Sequence, residues 1–482
     1  MSDGNIYTRI GVQPFINLTA TYTINGGTLM LPEVRAAMDE AARYSVSIDE
    51  LMAKVGARIA RLLASEAAMV TSGCAAALAH ATAACVTGGD PERIQQLPVI
   101  TGPRREVIIP RQSRNMYDQA IRMVGVRLVT VDTREEFAAA LGERTAMVTV
   151  LGVGEPEGKM RLEEIVAAAH RAGVPVLVDA AAEIPWTPNP YLSRGADLVA
   201  YSGGKILRGP QSAGLLLGSA VLIRAAWTAS SPHHSFGRPM KAGKEEIMGM
   251  LAAVEAFAGT RRIDAEYRTW EGWLGAIREC LLRVPGVEAK LLPPAGASPF
   301  PVLAVSWDAA RIPITAGELG KRLLDGDPRI MSHAAGPGSS FVVRPAAMEP
   351  GQHEAVAARL VALFEEAARP RPPERLAPPA ADLSGAWDVL LHFPAGDARH
   401  HFDLAAAAGR ITGTHRTPTL SGALQGVMDG DRIRVASELP CEGVVLTYHF
   451  AGRLVDGGMA GEVDMGEYGS TGWTACRAAG PG

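Results

Sequence analysis

The chain has few cysteines, no long apolar run and no excess of basic charge. Its five cysteines are odd in number and contain no C-x-x-C pair, which argues against a disulfide framework and a cysteine zinc site. No apolar stretch approaches the roughly 18 residues that a membrane-spanning helix needs. The formal net charge is −4, and no basic cluster offers a footprint for nucleic acid. We therefore expect neither a membrane nor a nucleic acid as partner.

The chain also lacks a recognisable targeting signal. Its N-terminal stretch "MSDGNIYTRIGVQPF" does not have the basic-then-apolar order of a secretory signal peptide, so we expect a cytoplasmic protein. The chain is long and rich in apolar residues. Its 482 residues, 47% of them hydrophobic, are too many for one ordinary core. The sequence predicts a globular protein of two or three domains.

Short apolar strands alternate with amphipathic helices in the first large block. "EVIIP", "VRLVTVD", "TAMVTVLGV" and "VPVLVDAA" read as strands, and "NMYDQAIRMVG", "REEFAAALGE" and "LEEIVAAAHRAG" read as the helices between them. This alternation predicts a parallel sheet with helices on both faces. Ligands of such sheets bind beyond the carboxyl ends of the strands. Asp179, Ser202 and Lys205 follow two of these strands and are expected at that edge.

A lysine and an aspartate at one sheet edge are either a structural ion pair or a catalytic pair. A lysine amine can form a Schiff base with pyridoxal 5'-phosphate (PLP). An aspartate can keep the pyridine nitrogen of PLP protonated, so that the ring accepts electrons. Lys205 and Asp179 have the residue types and the placement for these two roles.

A PLP site also needs a phosphate-binding turn. The strand-like run "AAMVT" leads into Ser72, Gly73 and Cys74, where a long alanine-rich helix begins. Backbone amides at a helix N-terminus bind phosphate, aided by the positive end of the helix dipole. Taken alone, Ser72 is better explained as an N-cap. The phosphate-binding turn, the aspartate and the lysine rarely occur together in this chain order by chance. Their combination therefore favours a PLP site over an N-cap and a structural ion pair.

Three stretches together resemble one family of enzymes. They are "VTSGCAAAL", "VPVLVDAA" and "GADLVAYSGGKILRGPQSAG". They are similar to the fold-type-I PLP-dependent enzymes, in the branch that contains selenocysteine synthase and D-glucosaminate-6-phosphate ammonia-lyase. The resemblance covers roughly residues 10–368, and the third stretch is its most specific part. It implies PLP as the cofactor, Lys205 as the Schiff-base lysine, Asp179 as the partner of the pyridinium nitrogen, and Ser72, Gly73, Cys74 and Ser202 as phosphate ligands.

A row of cationic residues precedes the helical pattern in "FGRPMKAGKEEIMGMLAAVEAF". Arg238, Lys241 and Lys244 repeat at three-residue spacing, although the start of a helix favours acids. The row is either a solvated surface or a binding site for a substrate carboxylate or phosphate. The resemblance implies that the row is a binding site for an anionic substrate group, beside the cofactor of a neighbouring subunit. Arg344 ends a strand where fold-type-I enzymes commonly keep a carboxylate-binding arginine, and a surface role explains it equally well.

The chain departs from the family pattern in two places. In "PRQSRNMYDQAI" the ammonia-lyase relatives have a histidine that can stack on the cofactor ring, whereas this chain has Ser113, Arg114 and Asn115. Arg114 and Tyr117 each offer a planar face for that role. Selenocysteine synthase also has an N-terminal tRNA-binding domain that does not precede "GVQPFINLTATYTINGGTLM", so we expect no tRNA substrate. We expect this N-terminal stretch to line the site instead.

The composition changes at "ARPRPPERLAPPAAD", which predicts an extended, proline-rich linker. Beyond it the hydrophobic pattern alternates, and turns such as "DGD" and "VDGG" divide it into about eight strands. This pattern predicts a small antiparallel barrel or sandwich. His400, His401, His415 and His449 lie on different strands without metal-ligand spacing, so we expect them on polar strand faces and expect no metal.

The fold class that follows is α/β. We expect a fold-type-I PLP-dependent transferase fold, with a mainly parallel seven-stranded sheet between two layers of helices, a small α+β domain and a C-terminal antiparallel β-barrel or sandwich. The predicted domains are an N-terminal segment (residues 1–30), a large PLP-binding domain (31–255), a small domain (256–368), the linker (369–382) and the C-terminal β domain (383–482).

The resemblance implies an enzyme that acts on an amino acid or amino sugar acid. Lys205 removes the α-proton, loss of a leaving group on the β-carbon gives an enamine, and water then hydrolyses the enamine to a 2-oxo acid and ammonia. Racemisation, aldol cleavage and β-replacement share the steps up to loss of the proton and stay open. The alternative of another class is a ligand-binding protein that uses the C-terminal β domain. Because this fold builds its sites at subunit boundaries, we expect a homodimer or a larger even-numbered homo-oligomer.

Overall fold

The computed structural model describes residues 4–296, 298–369 and 376–478. The chain folds into two compact units, one of residues 1–114 and 119–370 and the other of residues 115–118 and 371–482. Residues 370–375 of the predicted linker lie outside the described residues. Within the described ranges, no helix is long and apolar enough to cross a membrane.

Up to residue 369 the chain alternates helices and strands. The predicted helix "NMYDQAIRMVG" is helical over only five residues, since Gly125 adopts a left-handed φ of 99° that ends it. The elements in chain order are β1 (Ile16–Asn17), α1 (Pro32–Ala41), α2 (Ile48–Leu62), β2 (Ala67–Thr71), α3 (Gly73–Thr87), α4 (Pro91–Gln96), β3 (Glu106–Pro110), α5 (Asp118–Arg122), β4 (Arg127–Val131), α6 (Arg134–Ala140), β5 (Thr145–Leu151), α7 (Leu162–Arg171), β6 (Val176–Asp179), β7 (Leu198–Ser202), β8 (Gly214–Gly218), α8 (Ala220–Thr228), α9 (Lys244–Ala258), α10 (Ile263–Leu281), β9 (Val287–Leu292), β10 (Val302–Trp307), α11 (Ala316–Leu324), β11 (Ile330–Met331), β12 (Ser340–Val343) and α12 (Gln352–Ala367).

Seven of these strands form one large sheet, in the order β2-β8-β7-β6-β5-β3-β4. Strand β8 runs antiparallel to its neighbours β2 and β7, and the other pairs are parallel. The predicted mainly parallel seven-stranded sheet is thus confirmed. Its central strands are continuous buried runs of Val, Ile, Leu and Met, because helices cover the sheet.

The small α+β part has its own sheet and its own core. Strands β9, β10 and β12 form an antiparallel sheet, and helices α10, α11 and α12 supply apolar residues to the core beside it. The two-residue strand β1 pairs in parallel with β11, so a piece of the N-terminal segment packs into this core. The predicted domain boundary after residue 255 stays a prediction.

Residues 385–477 form a closed antiparallel barrel. Each strand pairs with the next, and the last strand pairs with the first. Trp387, Phe402, Phe450 and Trp473 fill its interior. The closed ladder decides between the predicted barrel and sandwich. The strands are β13 (Gly385–Phe393), β14 (Gly396–Ala407), β15 (Arg410–Arg416), β16 (Ser421–Asp429), β17 (Arg432–Cys441), β18 (Val444–Val455), β19 (Gly458–Asp464) and β20 (Ser470–Arg477).

One histidine of the barrel lies deep in its interior. His415 is fully buried, with Nδ1 2.6 Å from Oγ of Ser437 and Nε2 2.8 Å from Nδ1 of His400. The prediction of a polar strand face is wrong for His415, because it shares the inward face of β15 with the buried Ile411. His449 is exposed as predicted. In the part of the chain that the structure describes, no group of three or more His, Cys, Asp or Glu is placed to hold a metal.

Candidate active site

The carboxyl ends of β2, β6 and β7 meet at one edge of the large sheet. Asp179 is the last residue of β6 and Ser202 is the last residue of β7, with Lys205 in the turn that follows. Ser202 and Thr71, the last residue of β2, are both paired with Gly214 of β8. The sheet therefore brings these predicted residues to the same edge.

The turn into α3 leaves the N-terminus of the helix uncapped. Ser72 occupies the N-cap position, but its side chain makes no capping hydrogen bond within the described ranges. Gly73 has a left-handed φ of 78°, and the Thr71 hydroxyl donates to the Gly73 carbonyl at 2.8 Å. The turn lies directly on Gly214, where an added Cβ would be 2.3 Å from the Gly73 carbonyl carbon. The helix-terminal amides are thus held in place without a side-chain acceptor from Ser72.

A buried carboxylate lies close to this turn. Asp179 is 6% exposed, and its Oδ1 accepts a hydrogen bond from the backbone N–H of Ala181 at 3.0 Å. The Cys74 thiol lies 3.8 Å from the same oxygen. Burial, and then the negative charge of Asp179, raise the pKa of Cys74 well above its ordinary value, while the charge of Lys205 opposes them. Cys74 is therefore a neutral thiol that donates to the carboxylate.

The main chain at Lys205 is fixed by the N-terminal segment. The Thr28 hydroxyl lies 2.9 Å from the carbonyl oxygen of Gly204 and 3.0 Å from that of Lys205. The Arg208 N–H donates to the Lys205 carbonyl at 2.9 Å. The Lys205 backbone is therefore held on two sides. Thr28 was missed by the sequence analysis, although the segment that contains it was expected to line the site.

A second, partly buried carboxyl group, that of Glu183, follows Asp179 by four residues. Glu183 accepts a hydrogen bond from the Tyr191 hydroxyl through Oε2, and its Oε1 has no partner among the described residues. Burial raises the pKa of Glu183, the hydrogen bond from Tyr191 opposes this shift, and the charge of Asp179 adds to it. The sequence offered no signal for this group beyond its position in "VDAAAEIP".

Comparison with known proteins shows which enzymes this chain is similar to. The sequence profile of the Cys/Met metabolism PLP-dependent enzymes matches residues 7–244. A 5'-C-glycyluridine monooxygenase-decarboxylase from Streptomyces sp. is 31% identical over 378 residues, which are 74% of this chain and 92% of that protein. The chain belongs to the Cys/Met metabolism PLP-dependent enzymes.

Other members of these PLP-dependent enzymes match a similar share of the chain. D-glucosaminate-6-phosphate ammonia lyase from Salmonella typhimurium is 29% identical over 379 residues, which are 76% of this chain and 99% of that protein. A solved D-glucosaminate-6-phosphate ammonia-lyase structure has a TM-score of 0.67 and 27% identity, and covers 76% of this chain and 100% of its own. The resemblance to the ammonia-lyase branch is confirmed, and so are the fold-type-I architecture and PLP as the cofactor.

The groups at the sheet edge fit PLP. An uncapped helix N-terminus suits a phosphate, and an added Cβ at Gly73 would meet no atom within 4 Å, so the turn is open there. A buried carboxylate suits a protonated ring nitrogen, and Asp179 supplies it. Lys205 supplies the amine. The specific roles of these residues are part of the proposal below.

The cationic row lies where the sequence placed it, at the start of α9. Arg238 donates to the Ser231 hydroxyl at 3.2 Å, and Lys244, the first residue of α9, pairs with Glu245. Arg238 and Lys241 are exposed, whereas Lys244 is partly buried. These contacts do not link the row to Lys205 within one chain. Its role toward a substrate stays a prediction.

The two predicted ring-stacking residues differ in their surroundings. The Arg114 guanidinium donates to the Thr130 hydroxyl at 2.7 Å and is therefore directed to the end of β4. Tyr117 is 45% exposed. Neither observation decides whether Arg114 or Tyr117 stacks on the cofactor ring, so the ring-stacking role also stays a prediction.

Arg344 directly follows β12, as predicted, and stands beside residues that the sequence analysis missed. Its backbone N–H donates to the carbonyl of Leu18 at 3.1 Å. The imidazole of His333 lies near the ring of Tyr22, with centroids 4.1 Å apart. The stretch "MSHAAG" around His333 carries no family motif, so only the fold reveals this neighbourhood.

Proposed function

We propose that the protein is a PLP-dependent lyase that removes ammonia from an amino acid or amino sugar acid by α,β-elimination and yields a 2-oxo acid. The observation that carries the proposal is the sheet edge that combines Lys205, the buried Asp179 and the uncapped turn of α3. The match to an ammonia lyase over 99% of that protein's length supports the same reaction type.

The chain's own residues divide the work of this reaction. PLP, when bound, supplies an electron sink for negative charge at the substrate's α-carbon. The Lys205 amine accepts the α-proton, and the hydrogen bonds to its backbone keep the amine at the sheet edge. Asp179 holds the proton on the cofactor's ring nitrogen, and the Ala181 N–H and the neutral Cys74 thiol orient its carboxylate. Ser72, Gly73, Cys74 and Ser202 would hold the phosphate.

A second candidate reaction is favoured by one specific match. The Streptomyces relative is named a monooxygenase-decarboxylase and is 31% identical over 92% of its length. An oxygen-dependent decarboxylation would also leave negative charge on the α-carbon, so it would use the same aspartate. That charge comes from loss of CO2 and not from removal of the α-proton, and O2 would accept the electrons. This reaction differs from elimination in the bond that breaks, which is the bond to the carboxylate, and in its requirement for O2.

One screen tests both reactions. The purified holoenzyme is incubated with D- and L-amino acids and amino sugar acids that carry a β-hydroxyl group, and 2-oxo acid, ammonia, CO2 and dissolved O2 are measured together. Elimination predicts equal amounts of 2-oxo acid and ammonia without O2 uptake. Lys205→Ala should give no product. Lys159→Ala is the control and should be fully active, because the Lys159 side chain is 62% exposed. CO2 release that requires O2 would refute elimination and support the second candidate.

We also propose that two chains assemble into a homodimer through the N-terminal segment. Three isoleucines of this segment, Ile6, Ile10 and Ile24, are 65%, 75% and 76% exposed. Apolar side chains concentrated in one segment mark an interaction surface. Closed two-fold symmetry is the commonest way to cover such a surface. In that dimer Arg238, Lys241 and Lys244 would face the partner's site and bind an anionic part of the substrate.

A further inference from the structure

The backbone brings the segments that carry His333 and Arg344 to one short stretch of the chain. The N–H of Leu18 donates to the carbonyl of Met331 at 2.9 Å, and the carbonyl of Leu18 accepts from the N–H of Arg344 at 3.1 Å. His333 is two residues beyond Met331. The segments that carry His333 and Arg344 therefore both meet the chain just beyond β1, although they follow different strands, β11 and β12.

The same stretch continues to the Lys205 turn. Ala20 is fully buried in one cluster with Ile206, which adjoins Lys205, and with Ala346, which is two residues beyond Arg344. Ala20 has a left-handed φ of 58°, a conformation that costs free energy for a residue with a Cβ and that clusters at functional sites. Residues 18–28 thus connect the His333 and Arg344 neighbourhood to the main chain of the catalytic lysine.

His333 has an unmet hydrogen-bonding need. Its Nε2 is shielded from solvent and has no partner among the described residues. The Tyr22 ring packs on the imidazole at an interplanar angle of 61°, and Tyr22 itself is 48% exposed. A buried ring nitrogen without a partner is rare in folded proteins and calls for a ligand or an ordered water. Because Tyr22 borders solvent, a ligand has a route to this nitrogen.

The chemistry of the pair suits one carboxylate. A guanidinium donates two parallel hydrogen bonds to a carboxylate, and a neutral imidazole adds a third donor without a second positive charge. Burial, and then the positive charge of Arg344, lower the pKa of His333, so its ring is neutral at physiological pH. A neutral donor beside one arginine matches a singly charged carboxylate better than a phosphate dianion.

We propose that His333 is a substrate-binding residue that, together with Arg344, receives the α-carboxylate of the amino acid substrate. The inference rests on the proposed function, because it takes the substrate to be an amino acid at the Lys205 site. It assigns to His333 a share of the selectivity for acids over the corresponding amides.

The test measures binding rather than turnover. The holoenzyme is titrated with D- and L-alanine and with the matching alaninamides, and the change in cofactor absorbance gives each dissociation constant. Alanine has no leaving group on its β-carbon, so elimination does not interfere. We expect His333→Leu to weaken alanine binding about tenfold, since a hydrogen bond to a charged group is lost, and to leave alaninamide binding unchanged. His333→Gln keeps a donor and should retain part of the affinity.

His353→Gln is the matched control. His353 also has a shielded ring nitrogen without a partner in the described ranges, but its ring stacks on Trp273 and not on Tyr22. It should change neither constant. Three outcomes would each overturn the proposal. His333→Leu could weaken alanine and alaninamide binding equally, His353→Gln could have as large an effect as His333→Leu, or the wild-type protein could fail to bind alanine. Carboxylate-selective binding without any 2-oxo acid from β-hydroxy substrates would instead refute elimination alone. Circular dichroism of each variant shows whether it is folded.

Discussion

At the scale of single residues, the role proposed for Asp179 can be tested separately from cofactor binding. Asp179→Asn keeps the shape of the side chain but removes the negative charge that holds a proton on the ring nitrogen. We expect the variant to retain PLP and to lose turnover by several orders of magnitude. Cofactor content from the absorbance spectrum and kcat from product formation check the two parts separately.

Asp132 offers a matched control for that substitution. Its side chain is exposed and pairs with Lys159 on the surface, so Asp132→Asn should leave kcat unchanged. Unchanged turnover in Asp179→Asn, with cofactor still bound, would mean that another group tunes the ring nitrogen.

The residues of the site differ in how far the sequence alone could reveal them. Asp179 and Lys205 follow apolar strands directly, and parallel sheets bring the ends of such strands to one edge, so their placement was predictable. The contact of Thr28 with the Lys205 turn was not predictable, because it joins segments far apart in the chain. The neighbourhood of His333 was not predictable either, because it depends on the pairing of β1 with β11. No periodicity or motif encodes those contacts.

At the scale of elements, the turn into α3 depends on the absence of a side chain at Gly214. Gly214→Ala places a Cβ 2.3 Å from the carbonyl carbon of Gly73 and forces the turn to move. We expect a loss of stability of about 1–3 kcal/mol, as for other overpacked sites, together with weaker PLP retention. Thermal unfolding and cofactor content after dialysis measure both effects.

Gly102→Ala is the control for the general effect of an added methyl group. A Cβ at Gly102 would meet nothing within 4 Å. If Gly214→Ala retains PLP as well as Gly102→Ala does, the close packing of this turn is not needed for cofactor binding.

The barrel interior predicts a pH-dependent stability. Burial, and then the charge of His400, lower the pKa of His415 to about 3, whereas the unfolded chain has an ordinary histidine pKa of about 6.5. Between these values the unfolded state binds a proton that the folded state does not, so stability falls as pH falls through this window. From pH 6.5 to pH 5 the loss is about 2 kcal/mol for one group.

The comparison of wild type with His415→Gln isolates this contribution. Other histidines with lowered pKa values, such as His80, are common to both proteins. Thermal unfolding between pH 7.5 and pH 5 should show a smaller drop in Tm for His415→Gln. Parallel pH curves for the two proteins would contradict the assignment of the proton to His415.

The barrel also shows what a strand pattern leaves undecided. The alternation and the turn signals predicted about eight antiparallel strands, and eight form. Closure depends on hydrogen bonds between β13 and β20, which lie at opposite ends of this part of the sequence. Local alternation cannot report that pairing, so barrel and sandwich remained equal expectations until the fold was known.

At the scale of the whole molecule, the proposed dimer predicts complementation between two inactive variants. Lys205→Ala lacks the amine proposed to be catalytic, and Arg238→Ala lacks the cation that would be donated to the partner's site. In a mixed dimer, one site would combine an intact Lys205 with an intact Arg238. We expect the mixture to regain up to about a quarter of wild-type activity, because random exchange makes half of the dimers mixed and each has one intact site.

Three measurements decide this prediction. Sedimentation gives the oligomeric state, tagged subunits verify exchange, and the activity of the mixture is compared with that of Lys205→Ala mixed with Lys159→Ala. Lys159→Ala retains both Lys205 and Arg238. The control mixture therefore shows the activity expected when half of the subunits have an intact site. A monomer, or a Lys205→Ala and Arg238→Ala mixture that stays inactive after verified exchange, refutes the shared site.

The pairing of β20 with β13 places the first and last strands of the barrel side by side. Chain can therefore enter and leave this part of the protein at neighbouring points, and every strand finds both of its hydrogen-bonding partners inside the barrel. Such a part is modular, since it can be attached to or detached from another chain without leaving an unpaired strand on either side. The two relatives compared above match 74% and 76% of this chain, which is the extent expected if a module of this kind varies among such enzymes.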